Sequence, residues 1–233
     1  MFISKINNIL NTENLAKVRR IIQESEFVDG HISGGTAYNK KNLELSPETE
    51  KYVEVLRIVE QSVRENAEFN LTAFPRAMTR PIISRYEVGM FYKEHVDLPV
   101  MGFLSAMRGM NPVGSNYVRT DLSMTLFLGD PDSYDGGELS FDSPFGPLKI
   151  KLDAGAGVVY PTGAMHSVLP VTRGVRYAAI FWIQSLFPTE AHRQAVYDSR
   201  QLMKTLERAI PGSEACTLAQ NNFYNLCRIL AQV

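Results

Sequence analysis

The stretch Tyr92-Lys93-Glu94-His95-Val96-Asp97-Leu98-Pro99 decides how the rest of this chain is read. In an extended strand, residues two apart point to the same side, so His95 and Asp97 can bite one ion while Val96 faces away. Two imidazoles and a carboxylate on one face leave three positions open on a non-haem Fe(II) ion, room for O2 and a chelating organic cosubstrate. A His-x-Asp string arises by chance too often to carry that reading alone. Its flanks carry more. Ile82 to Tyr86 is a predicted strand, Gly89-Met90 a turn, and Phe91 to Val96 resumes an extended pattern. Far downstream, Gly155-Ala156-Gly157 turns, Val158-Val159-Tyr160 is β-branched and aromatic, and Pro161-Thr162-Gly163 turns again just before His166. Both candidate ligand segments are therefore strand ends, and Arg176 opens one more predicted strand, Arg176 to Ile183.

With 233 residues, 45% hydrophobic and 21% charged, the chain can bury a substantial core. Its formal net charge of -1 supplies no basic field, so neither nucleic acid nor a membrane surface is an expected partner. No apolar run reaches the length of a membrane span, and Met1-Phe2-Ile3-Ser4-Lys5 does not read as a secretion signal; a cytoplasmic location is expected. Cys216 and Cys227 fall in a helical tail and are expected to be ordinary thiols. His31 in a Gly-flanked loop and His192 in a polar helix are read as solvated, which leaves His95 and His166 for a metal.

Three segments follow one another without a long linker. Residues 1–79 are expected to supply helices and a loop packed on a barrel. Leu15, Val18, Ile21 and Ile22 recur at helical spacing behind a cap at Asn11 or Thr12. A second helix starts at Ser46-Pro47 and runs to about Asn66 along Tyr52, Leu56, Val59 and Val63, with Gly30 to Asn42 between the two as a loop or irregular strands. Residues 80–186 alternate short apolar runs with turn clusters, the pattern of a jelly roll. Within them Asp121 to Leu128 is a strand, and Val100 to Tyr117, rich in methionine and glycine, suits a lid beside a site. Residues 187–233 form a helical C-terminal extension, Glu190 to Ile210 and Thr217 to Ala231, broken at Pro211-Gly212. Its Phe223, Leu226, Ile229 and Leu230 either pack on the barrel or make a homo-oligomer contact, between which periodicity does not choose. The fold class is mainly β with flanking helices (α+β).

A set of local strings then points to a family. It comprises Arg85-Tyr86, Tyr92 to Asp97, Arg119-Thr120-Asp121-Leu122-Ser123, Ser133-Tyr134-Asp135-Gly136-Gly137-Glu138-Leu139, Tyr160-Pro161, His166, Pro170 to Arg176 and Trp182-Ile183-Gln184-Ser185. Together they closely resemble the PKHD-type hydroxylases, relatives of the prolyl 4-hydroxylases within the Fe(II)- and 2-oxoglutarate-dependent dioxygenases. The resemblance covers most of the chain and is densest from Arg80 to Ser185. It departs at Asn39-Lys40-Lys41-Asn42, where the family tends to carry Lys-Asn-Asn.

The resemblance implies a double-stranded β-helix (jelly roll) with N-terminal supporting helices, iron ligands His95, Asp97 and His166, and Arg176 as the group that receives the distal carboxylate of 2-oxoglutarate. The chemistry agrees, since a guanidinium presents a planar fork to a carboxylate. Tyr86 matches a tyrosine that commonly hydrogen-bonds the cosubstrate, and reads equally as core. Some relatives place a second tyrosine on the central strand where this chain has Leu126-Phe127, which leaves that contact to Ser123, Thr125 or water. Arg119 and Asp121 either hold substrate or, more simply, each other; Arg173 is read as solvated.

The implied cofactor is Fe(II), with 2-oxoglutarate and O2 as cosubstrates and L-ascorbate (vitamin C) as an optional reductant. The implied reaction converts 2-oxoglutarate to succinate and CO2 while hydroxylating a peptidyl or small-molecule substrate, with iron-acquisition compounds among the targets the resemblance suggests. A carboxylate at Asp97 favours hydroxylation over halogenation. The rival readings are a non-catalytic iron, 2-oxoglutarate or oxygen sensor, a cupin-type metalloenzyme, and a structural β-sandwich with chance histidines.

Overall fold

A computed structural model describes residues 3–34, 39–102 and 117–233. Residues 103–116, the bulk of the Val100 to Tyr117 stretch expected to be a lid, lie outside them. The first strands are β1 (Ser4–Ile6), β2 (Phe27–Asp29), β3 (Lys40–Lys41), β4 (Leu43–Leu45), β5 (Pro75–Met78), β6 (Ile82–Tyr86), β7 (Phe91–His95), β8 (Val100–Met101) and β9 (Val118–Arg119). They continue with β10 (Leu122–Phe127), β11 (Asp135–Gly136), β12 (Leu139–Phe141), β13 (Leu148–Ile150), β14 (Gly157–Pro161), β15 (His166–Val168), β16 (Val171–Arg173) and β17 (Arg176–Ser185). The helices described are α1 (Thr12–Gln23), α2 (Glu50–Glu65), α3 (Ala67–Ala73), α4 (Glu190–Ala209) and α5 (Glu214–Leu230).

An eight-stranded sheet runs β1-β14-β10-β17-β6-β4-β2, with β5 added along β17, and a five-stranded sheet runs β13-β12-β15-β7-β3. Strand alternation explains how both faces of the larger sheet are covered. On β10, Leu122, Met124 and Leu126 join Val159, Ala179, Phe181 and Ile183 in a core closed by Val18, Ile22, Val55, Val59 and Val63 of the first two helices. Phe127, with Val158 and Tyr160, turns the other way and packs on Leu139, Phe141 and Ile150 of the smaller sheet. Every residue of β10 is consequently buried. Each fully buried aliphatic side chain in these layers contributes about 1.5–3 kcal/mol relative to leaving it in water. The result is the jelly roll with supporting helices that the sequence predicts.

Local departures have local causes. The first helix is capped as expected, the Asn11 side chain accepting from the Asn14 amide at 2.8 Å. The second begins at Glu50 rather than at Ser46, because Thr49 takes the capping role: its hydroxyl accepts from the Tyr52 amide at 3.1 Å and donates to the Ser46 carbonyl at 3.0 Å. Asn66 stops that helix and caps the next, accepting from the Phe69 amide at 2.8 Å. Neither α3 nor β1 is evident in the periodicity, being short. In the tail, Phe223, Leu226 and Leu230 pack with Phe74, Phe187 and Val196 of their own chain, while Ile229 is 75% exposed. No helix among the described residues is long and apolar enough to cross a membrane.

Candidate active site

His95 closes β7, His166 opens β15, and the antiparallel register sets the two directly opposite each other. The strand ends at His95, so Asp97 lies in the chain beyond it; the Asp97 side chain turns in, 9% exposed, while Val96, 47% exposed, borders the same cavity instead of facing away from it. One Asp97 oxygen stands 3.6 Å from His95 Nε2 and the other 3.7 Å from His166 Nε2. One ligand atom from each of the three residues lies within 4.8 Å of the others.

Backbone carbonyls set the tautomers. His95 Nδ1 bonds to the Lys93 carbonyl at 2.7 Å and His166 Nδ1 to the Ala164 carbonyl at 2.9 Å. A carbonyl only accepts, so the proton sits on Nδ1 and each Nε2 lone pair faces the cluster, the form in which imidazole binds a metal. Burial, and then the neighbouring His166, depress the His95 pKa from 6.5 to about 4, against the opposing pull of the Lys93 carbonyl and Asp97. The ring is therefore a neutral ligand at physiological pH. Tyr92 stacks on it at 3.6 Å between centroids. Ser123 donates to Asp97 at 2.7 Å and meets Thr162 at 3.1 Å, so Ser123 orients the carboxylate instead of standing free for the cosubstrate. Two imidazoles and an anchored carboxylate, open on one side, fit a hard-to-borderline divalent metal such as Fe(II).

Arg176 is the first residue of β17, pairs in register with Tyr86, and is 1% exposed. Its guanidinium lies 5.2 Å from the Tyr86 ring centroid and 5.6 Å from that of Phe127. Nε and Nη1 are sealed from solvent without a hydrogen-bond partner among the described residues. A buried cation with idle donors needs an anion, and a carboxylate fits the fork. Burial pushes the Tyr86 phenol well above its ordinary pKa, with Arg176 pulling the other way, so the hydroxyl keeps its proton.

Arg176, Tyr86 and the His-Asp-His cluster line one cavity of about 360 Å³. Sequence reading missed the wall of that cavity formed by Lys40 and Glu44, 5% and 3% exposed, whose ammonium and carboxylate meet at 2.8 Å. Lys40 also donates to the Gly30 carbonyl and to Ser33 Oγ, each at 2.8 Å, and so ties the 30–34 turn to the sheet. The signal was present only as a Lys-x-x-x-Glu spacing, which helices produce routinely. His31, read as solvated, keeps 34% of its side chain exposed at the edge of the cavity and bonds to Asp29 through Nδ1. His192 is partly buried in the first turn of α4. Arg119 grips Asp121 with two bonds, at 2.7 and 3.0 Å, and Arg173 pairs with Asp135 on the surface at 2.6 Å.

The profile of the 2OG-Fe(II) oxygenase superfamily matches residues 81–184. A PKHD-type hydroxylase of Gluconacetobacter diazotrophicus is 38% identical over 226 residues, 96% of each chain. The PKHD-type hydroxylase YbiX of Escherichia coli is 35% identical over 230 residues, 98% of each. Among solved structures, a Pseudomonas putida prolyl-4-hydroxylase superposes with a TM-score of 0.53 at 21% identity, covering 78% of this chain and 92% of its own. A Trichoplax adhaerens prolyl hydroxylase, in complex with a hypoxia inducible factor oxygen degradation domain peptide fragment, gives 0.54 at 16% identity, covering 78% and 82%.

Proposed function

We propose that this chain, which belongs to the 2OG-Fe(II) oxygenase superfamily and within it to the PKHD-type hydroxylases, hydroxylates a residue within a peptide, with His95, Asp97 and His166 holding the iron and Arg176 the distal carboxylate of 2-oxoglutarate. The chain is an Fe(II)- and 2-oxoglutarate-dependent dioxygenase. Bound Fe(II) with 2-oxoglutarate and O2 supplies the oxidising chemistry, 2-oxoglutarate leaving as succinate and CO2 as the substrate gains a hydroxyl.

The protein's own contribution is position. Lys93, Ala164 and Ser123 orient the ligand set. Arg176 anchors the far end of the cosubstrate, and Tyr86 offers it a protonated hydroxyl. The observation that carries the assignment is a buried guanidinium, with Nε and Nη1 left without a partner among the described residues, in the same cavity as the ligand cluster. For the substrate, Lys40 and Glu44 cancel each other's charge in the cavity wall, and the buried Trp182 Nε1 is a donor without a partner among the described residues. Ile32, Val96 and Leu98 give that cavity an exposed apolar lining. A neutral, amide-bearing group suits such a surface better than a charged free amino acid, and the peptide-bound Trichoplax neighbour is consistent with it.

Anaerobic titration of the purified protein with Fe(II) and 2-oxoglutarate tests the site. Wild type develops the visible charge-transfer absorption of the chelate. His166→Ala abolishes it, and Arg176→Ala weakens 2-oxoglutarate binding by roughly 10- to 100-fold, the worth of a charge-assisted hydrogen bond. No absorption in folded, iron-loaded wild type would sink the assignment. O2-dependent succinate release stimulated by small-molecule iron chelators, and not by blocked peptides, would overturn the peptide half.

A further inference from the structure

We infer that Tyr134 is a positioning residue for the cosubstrate arginine: its hydroxyl oxygen accepts a hydrogen bond from the Arg176 guanidinium and holds the fork towards the cavity. This rests on the assignment of Arg176 to the distal carboxylate of 2-oxoglutarate. Tyr134 is 1% exposed, and its hydroxyl is sealed with no partner among the described residues. Leaving a hydroxyl buried and unpaired is costly. Arg176 has the complementary deficit, with Nε and Nη1 both sealed and idle.

The two deficits are adjacent. A Cβ placed on Gly137 would stand 3.0 Å from Arg176 Cδ and 3.2 Å from Tyr134 Cε2, so the arginine stem and the tyrosine ring flank one glycine. Burial raises the Tyr134 pKa, and the neighbouring Arg176 charge pulls the other way. A guanidinium has five N–H groups and accepts nothing, and a carboxylate in its fork takes two of them. Tyr134 Oη is then an idle acceptor beside those that remain, and a small rotation of the guanidinium satisfies both residues. Arg176 lines the cavity and Tyr134 does not, so the tyrosine acts from behind the arginine. Its own place is fixed. Lys151 Nζ sits 4.0 Å from the ring centroid and donates to the Tyr134 carbonyl at 2.6 Å, and Gly129 leaves room at the opposite ring edge.

The test uses full-length protein with Fe(II) under anaerobic conditions and compares two ligands. 2-Oxoglutarate reaches Arg176; 2-oxobutyrate offers the same keto acid to the metal and lacks the distal carboxylate. Tyr134→Phe is expected to raise the dissociation constant for 2-oxoglutarate by roughly three- to tenfold, the usual worth of one hydrogen bond, with affinities for Fe(II) and 2-oxobutyrate unchanged. Adding Tyr134→Phe to Arg176→Ala is expected to change nothing further. Should Tyr134→Phe fold poorly, Lys151→Met, which frees the ring from outside, is expected to give the same selective loss in smaller measure. Equal weakening of both ligands would mean a merely structural tyrosine and overturn the inference, as would unchanged binding of both. Failure of wild type to bind 2-oxoglutarate would instead remove the parent assignment, and this one with it.

Discussion

A histidine held at a pKa of about 4, against an ordinary 6.5, binds fewer protons folded than unfolded between those values. Its contribution to stability is therefore present at neutral pH and lost as pH falls from about 6.5 towards 4. Urea midpoints of the metal-free protein are expected to drop between pH 7 and pH 5, and His95→Gln is expected to flatten that drop; an unaltered slope in the variant would show that other groups cause it. At this scale much of the site was legible in the sequence. His95, Asp97, His166 and Arg176 stand at strand ends or beginnings with turn residues around them, and the structure brings all four to one cavity. Ser123 and Tyr134 were not legible in these roles, because the one depends on a contact with Asp97 far back in the chain and the other on an atom left without a partner among the described residues; the Lys40–Glu44 pair left only a spacing that helices also produce.

The segment between Tyr134 and β12, which includes β11, is sensitive to a single methyl group. Gly136 and Gly137 have φ of 70° and 66°, and a Cβ on Gly136 would fall 2.1 Å from the Pro170 carbonyl oxygen. Left-handed backbone costs an L-residue about 1–2 kcal/mol, and here a backbone clash is added. Gly136→Ala is expected to lose more than about 2 kcal/mol in urea unfolding. Gly146→Ala, at a φ of 100° with nothing within 4 Å, bears only the backbone part and is expected to lose about 1 kcal/mol. Similar losses in both would remove the clash from the account. Elements with strong patterns were read to within a few residues, β6 to the residue and β10 to one at either end. The three residues of β1 and the seven of α3 are too short to show a period, and what holds them is the register with β14 and the core they enter.

Across the whole molecule, the C-terminal helices share a cluster with Phe74 and Phe187, and the Gln232 amide returns to the Leu186 carbonyl at the end of β17, at 2.8 Å. The tail is thus built into the fold. Phe187→Ala is expected to cost about 3–5 kcal/mol in a single cooperative transition, and Ile229→Ala, at an exposed position, less than about 0.5 kcal/mol. A separate early transition in the Phe187 variant would mean that the tail unfolds on its own. Periodicity foresaw these helices but not their partners, since an apolar stripe does not say which surface covers it. The buried Arg176, with two donors lacking a partner among the described residues, also bears on abundance. A ligand that binds only the native state stabilises it by about 2.7 kcal/mol at a hundred times its dissociation constant, so the protein in a cell rich in 2-oxoglutarate is less exposed to proteases than the same protein in a cell short of it. Carbon supply would then set how much enzyme persists as well as how fast it works.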